Sequence, residues 1–284
     1  MKIVFFGTPN YVMPILTKLH KEFVTGPGKS PIVAVVTQSP KPVGRDQIVT
    51  FSPVDKWAHE HKILTYYQAS DLLEANLDAE IGVLASYGEI ITRDIINLFP
   101  QGILVIHPSL LPMYRGASPV PAAIKNGDKI TGCSIIRMDE KMDHGPVVTQ
   151  FKEEILDTDT SDVLRDRLFA KSADVLAETI TPYIKGKIKL KKQDDTAATY
   201  TKLVTKQDGF IDLQGSDPYQ TERFIHAMYP WPGAWTLLPN QKRLKLIKSH
   251  MEDDKLILDE VQLEGKLPVS YKQFIEAYPS LAVI

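Results

Sequence analysis

The sequence predicts an α/β domain built on a mostly parallel sheet, followed by a smaller β-rich domain. Through the first two thirds of the chain, near-continuous apolar runs of strand length alternate with amphipathic segments of helix length. That alternation belongs to a parallel sheet covered on both faces. After a lysine-rich stretch the pattern changes to short strands separated by polar turns. A chain of 284 residues, 43% of them hydrophobic, is long enough for two cores rather than one.

The elements follow in order. KIVFFG is a buried strand ending at Gly7, and Val12, Ile15, Leu16, Leu19 and Phe23 then recur at helical spacing with Asn10 as the cap. PIVAVVT (31–37) is a second buried strand. A helix over 54–61, a short strand ILTYY, a strand IGVLAS (81–86), a helix near 91–98 and the strand ILVIH (103–107) continue the alternation. The strands GCSIIRM and VVTQFKEEI flank a loop, DEKMDHGP. A helix over 162–184 follows, opened by Thr160 or Ser161 and striped by Leu164, Leu168, Leu176 and Ile180. Beyond residue 205 come a short helix (221–228), the turn YPWPGAW, and the strands RLKLIKS and KLILDEVQ. The expected domains are therefore 1–200 and 201–284.

Composition excludes several classes of function. A formal net charge of −2 gives no general basic field for nucleic acid, so such a partner needs a local patch. Lys-rich runs at 185–192 and 241–248 are the two candidates, each by default a solvated strand or linker surface. Cys133 is the single cysteine, so neither a disulfide, a CxxC redox pair nor a cysteine-rich zinc site can be built within the chain. The apolar run in MKIVFFGTPN is too short for a secretion signal, and no later run approaches the roughly 18 apolar residues of a membrane span. The expectation is a cytoplasmic protein with no membrane association.

The first strand ends in a single glycine with no second or third in phase, so a dinucleotide fingerprint is absent. A Walker loop, HExxH and GxSxG are absent as well. In parallel sheets ligands bind at the carboxyl ends of strands, where SYG (86–88) and His107 both fall. Asp139, Glu140 and Asp143 lie in a loop further on. A histidine trades protons near neutrality and a carboxylate orients it, which is a pairing suited to acyl-group transfer. Taken singly, each of these residues is by default structural.

Taken together they resemble a family. HPSLLPMYRGASPV, followed by TGCSIIRMDEKMDHGPVV, is similar to the formyltransferases that use 10-formyltetrahydrofolate. The resemblance implies a Rossmann-like catalytic domain and transfer of a formyl group from folate N10 to a primary amine, with no metal. His107 matches the family's histidine and Asp143 its aspartate. Ser109, Leu110, Leu111 and Pro112 match the folate loop, and Ser86, Tyr87 and Gly88 the pterin-side segment. FFGTPNY and KPVGRDQIVTFSPV match in kind and position. The family's asparagine, two residues before the histidine, is Val105 here. Valine has no donor, and losing one oxyanion donor costs about 2.7–4 kcal/mol, roughly a hundred- to thousandfold in turnover. An offset strand would let Ser86 or Ser109 stand in.

KLVTKQDGFIDL, FIHAMYPWPGAW and VQLEGKLPVSYKQFIEAY resemble, in order, the C-terminal OB-like domain of the methionyl-tRNA formyltransferases. The implied partners are methionine-charged initiator tRNA and the folate donor, and the expected state is a monomer. Lys41, Arg45 and Arg115 are the expected tRNA contacts, although DQIV follows Arg45 where the resemblance predicts more lysines. Trp231 and Trp235 are either base-stacking groups or a wedge between domains. An amino-sugar-nucleotide formyltransferase, or a folate- or RNA-binding relative disabled at Val105, are the other readings.

Overall fold

The computed structural model describes residues 1–24, 26, 29–44 and 46–283. The elements begin with β1 (Ile3–Gly7), α1 (Met13–Glu22), β2 (Ile32–Val36), the hairpin strands β3 (Lys41–Val43) and β4 (Ile48–Thr50), α2 (Pro53–Glu60) and β5 (Leu64–Tyr66). They continue with β6 (Ile81–Ala85), α3 (Arg93–Asn97), β7 (Ile103–His107), β8 (Arg115–Gly116), α4 (Pro119–Asn126), β9 (Ile130–Arg137), β10 (Val147–Glu154) and α5 (Ser161–Ile184). The last are β11 (Tyr200–Thr201), α6 (Pro218–Met228), β12 (Ala234–Leu237), β13 (Arg243–Glu252), β14 (Lys255–Leu263), β15 (Val269–Ser270) and α7 (Tyr271–Ala277).

Two compact units emerge. The first comprises Met1–Arg115, Gly132–Glu153 and Asp166–Thr199; the second comprises Gly116–Thr131, Glu154–Arg165 and Tyr200–Ile284. A break falls after Thr199, and two earlier segments also belong to the second unit.

The first unit is built on a seven-stranded sheet in the order β10-β9-β7-β6-β1-β2-β5. β5, β2, β1, β6 and β7 run parallel, and β9 turns antiparallel to β7. β1 shows why apolar runs without alternation make such strands. Ile3 and Phe5 point into the core on one face, Val4 and Phe6 into the core on the other, and all four are fully buried. Each such side chain contributes about 1.5–3 kcal/mol of burial.

Local structure departs from the sequence reading at helix ends. A 3₁₀ turn, Asn10–Val12, precedes α1, so Asn10 is not its cap; the helix opens after Val12 without a side-chain hydrogen bond, with Pro14 in its first turn. α3 is shorter than expected. Lys41–Val43 and Ile48–Thr50 pair as antiparallel strands, apart from the main sheet.

The second unit carries an antiparallel four-stranded sheet, β12-β13-β14-β15. Leu244 and Leu246 of β13 are buried while Arg243 is exposed and Lys245 half-buried, the period of a strand with one wet face. α6, capped by Asp217, buries Phe224, Ile225 and Met228, and α4 packs on it. Among the described residues no helix is long and apolar enough to cross a membrane.

Candidate active site

The carboxyl edge of the parallel sheet gathers the polar groups. Thr8 follows β1, Gln38 lies beyond β2, 86–88 follow β6, and His107 ends β7. Gln38 Nε2 donates to the Tyr87 carbonyl at 3.3 Å, which ties two of these loops together. Ser86 has φ +49° and Gly88 φ +90°, so this segment turns sharply off the strand. At Gly88 a Cβ would stand 2.7 Å from Gln38 Nε2, a close approach that glycine permits. Tyr87 is directed inward: it is 1% exposed, packs edge-on against Phe6, and donates from its hydroxyl to Glu89 at 3.0 Å. Burial, then the bond to Glu89, pushes its phenol well above the ordinary range.

His107 is 5% exposed. Its Nε2 lies 2.9 Å from the Tyr114 carbonyl and its Nδ1 3.5 Å from Asp143 Oδ2. A carbonyl only accepts, so Nε2 carries a proton, and the Nδ1 edge is the one that faces the carboxylate. An imidazolium would find an acceptor on each side. Asp143 comes from the loop between β9 and β10; β9 runs antiparallel to β7 with Arg137 opposite Leu104, so this loop starts near the amino end of β7 and reaches back to His107.

The 109–112 loop is held from beneath. Ser134 Oγ donates to the Ser109 carbonyl at 2.6 Å and accepts from Leu111 N at 3.0 Å, while Gln150 Nε2 donates to the Leu111 carbonyl at 2.9 Å. Ser109 donates its own hydroxyl to the Met113 carbonyl at 2.7 Å, so that group is engaged in the loop. Gly132 lets Leu110 of the loop seat closely, since a Cβ there would stand 2.6 Å from Leu110 Cδ2, and 2.0 Å from the Phe151 carbonyl of β10. Neither Ser134 nor Gln150 carries a local sequence signal of this role.

Val105 is 6% exposed and packs with Leu111, Ile136 and Val147. The strand is in regular register with β6 and β9 at this point, and the site floor two residues before His107 is hydrocarbon.

The other expected residues lie apart from this pair. Arg115 is 2% exposed, with Nε and Nη2 donating to Gln193 Oε1 at 3.1 and 2.9 Å and Nη2 to Asp195 at 2.8 Å. Asp195 also meets His144 Nε2 at 3.3 Å, and His144 Nδ1 lies 2.6 Å from Asp139. The bond from Arg115, followed by that from His144, holds the Asp195 carboxyl below the usual range. Lys41 is exposed on the β3 strand, and Arg45 lies outside the described residues. Cys133 is buried, and burial pushes its thiol up to about 12, which removes it as a nucleophile. Among the described residues, no group of three or more His, Cys, Asp or Glu is placed to hold a metal.

In the second unit a surface groove of about 370 Å³ is lined by Trp231, Pro232, Trp235, Arg243, Lys245 and Lys206, among others. Trp231 is 56% exposed, and the Arg243 guanidinium stands 4.3 Å over the Trp235 ring. Trp235 also packs against Phe210 and donates its indole N–H to the Lys206 carbonyl at 3.2 Å.

Residues 1–180 match the family described as Formyl transferase, and residues 203–257 match Formyl transferase, C-terminal domain. A methionyl-tRNA formyltransferase of Chloroflexus aurantiacus is 38% identical over 256 residues, covering 88% of this chain and 80% of that one. The solved methionyl-tRNA formyltransferase from Clostridium thermocellum superposes with a TM-score of 0.64 at 19% identity, over 93% of this chain and 98% of that one. An N-formyltransferase from Helicobacter canadensis, solved in complex with folinic acid and dTDP-3-aminofucose, gives a TM-score of 0.68 at 18% identity over 93% and 95% of the two chains. At such identities the two structures share the fold.

Proposed function

The chain belongs to the formyl transferase family, and from that premise we propose that it transfers the formyl group of 10-formyltetrahydrofolate to the amino group of methionine esterified to initiator tRNA, in the cytoplasm. The observation that carries the reading is the contact between His107 Nδ1 and Asp143 at the carboxyl edge of the sheet. Sequence relatives 35–38% identical and named methionyl-tRNA formyltransferases support the acceptor. The likeness to an amino-sugar enzyme rests on fold alone.

In this reading the amine nitrogen attacks the formyl carbon, the C–O double bond opens to an oxyanion, and collapse of the tetrahedral intermediate restores the carbonyl and breaks the bond to N10, which takes up the proton that the amine has lost. Nε2 of His107 is committed to Tyr114, so protonated Nδ1 is the edge that serves the developing negative charge. Asp143 flanks that edge, orients the ring and assists removal of the proton from the attacking amine. The donor would lie along 109–112 and 86–88. The loop 109–112, fixed through Ser134 and Gln150, is a rigid wall against which a folate is positioned without further ordering cost. The acceptor finds its cations in the second unit's groove, where exposed Trp231 supplies a stacking surface beside Arg243 and Lys245.

The test is incubation of the protein with 10-formyltetrahydrofolate and methionine-charged initiator tRNA, reading formyl-methionine after deacylation, beside His107→Ala. Product is expected from the wild type, with a loss of about 10²- to 10⁴-fold in the variant. No product from the wild type at high enzyme concentration, or equal product from the variant, refutes the reading.

A further inference from the structure

Asp143 has φ +49°, a left-handed conformation that a residue other than glycine keeps only where its surroundings hold it. The group that holds it is fifty positions away. Gln193 Nε2 donates to the Asp143 carbonyl at 2.8 Å and to the Gly145 carbonyl at 2.8 Å, committing both amide protons to this one turn. Its Oε1 takes the two N–H groups of Arg115, which decides which way the amide faces. Gln193 is 7% and Arg115 2% exposed, so water competes little for either. Two further contacts set the frame. Lys191 exchanges backbone hydrogen bonds with Val147, at 2.8 and 2.9 Å, just past the turn. Gly145 lies so close to the Arg137 carbonyl that a Cβ would stand 1.9 Å from it.

We propose that Gln193 is a positioning residue: it fixes the backbone turn that presents the Asp143 carboxylate to His107 Nδ1, and Arg115, anchored by Asp195, fixes Gln193. The role in turnover rests on the formyl-transfer reading above. The clamp falls on the residue whose carboxylate faces the histidine, so its removal displaces a reacting group rather than loosening the fold at large.

Gln193→Glu tests this, because a carboxylate keeps the size and the pairing with Arg115 but donates to neither carbonyl; should the first variant fold poorly, Gln193→Met also keeps the size and donates to neither carbonyl, without a charge and without an oxygen acceptor for Arg115. The kinetics are measured beside Asp143→Ala and the double variant. The expected result is a fall in kcat of up to about 100-fold with KM for donor and acceptor within about twofold. The double variant should be no slower than Asp143→Ala alone, since both act through one carboxylate. Amide hydrogen exchange over 139–146 should quicken. Unchanged kcat, losses that multiply in the double variant, or unchanged exchange would overturn the proposal. If the wild type transfers no formyl group, the reaction reading fails, and the exchange of 139–146 alone then supports the clamp if faster and overturns it if not.

Discussion

Val105 and His107 point from the same side of β7, one into hydrocarbon and the other toward a carboxylate. Val105→Asn sets two effects against each other. A buried amide without partners costs about 1–3 kcal/mol, so the melting temperature should fall. A new donor beneath His107 should raise single-turnover formyl transfer, toward the roughly hundred- to thousandfold that one oxyanion donor is worth. Unchanged transfer would mean that the site already draws that donor from another group. His107 and Asp143 were legible through the resemblance and not through topology, since the register of β9 on β7 starts Asp143's loop at the opposite end of the strand. Gln193 was not, since its partners lie across the unit and nothing in its own neighbourhood marks it. Arg115 was misleading for the same reason: an arginine is expected at the surface until a distant Gln193 and Asp195 offset the cost of burying it.

The elements of the first unit were the most legible, because a buried parallel strand needs an uninterrupted apolar run and α5 carries a regular apolar stripe. α4 and α7 were missed although their signals are present. Pro119 opens α4 and Gly127, φ +76°, closes it; Ser270 and Gln273 form a capping box at the start of α7. Both helices are short, and periodicity speaks softly over two turns. β10 and α5 are tied by Glu153, which accepts from Lys171 at 2.7 Å and Arg167 at 3.0 Å. The bond from Lys171, with Arg167 adding to it, holds the Glu153 carboxyl below its usual range. A depressed carboxyl contributes stability above its unfolded value and loses it as the pH falls through the folded one. Glu153→Gln should therefore lower the melting temperature at pH 7 by about 2–4 °C, for a partly screened contribution of about 1 kcal/mol. In thermal melts across pH, that gap should close below about pH 4.

Across the whole molecule, a net charge of −2 leaves any grip on nucleic acid to local cations. The run at 241–248 proves to carry the first half of β13, whose buried leucines leave Arg243 and Lys245 to line the groove beside Trp231. Replacing Arg243 and Lys245 by glutamate should weaken binding of initiator tRNA and reduce the slope of log affinity against log salt by roughly 1 for each phosphate no longer neutralised. Filter binding at several salt concentrations checks it; an unaltered slope would place the phosphate-binding cations elsewhere. The order of the second unit's helices along the chain bears on synthesis. α4 leaves the ribosome early, and the helix it packs on, α6, begins only at Pro218. Val120, Ala123 and Ile124 are buried in the finished protein, yet they must wait in the nascent chain while the stretch from Asn126 to Pro218 is translated. This part of the molecule is thus completed only once α6 has been translated, and a ribosome that stalls before α6 strands an apolar helix for chaperones to cover.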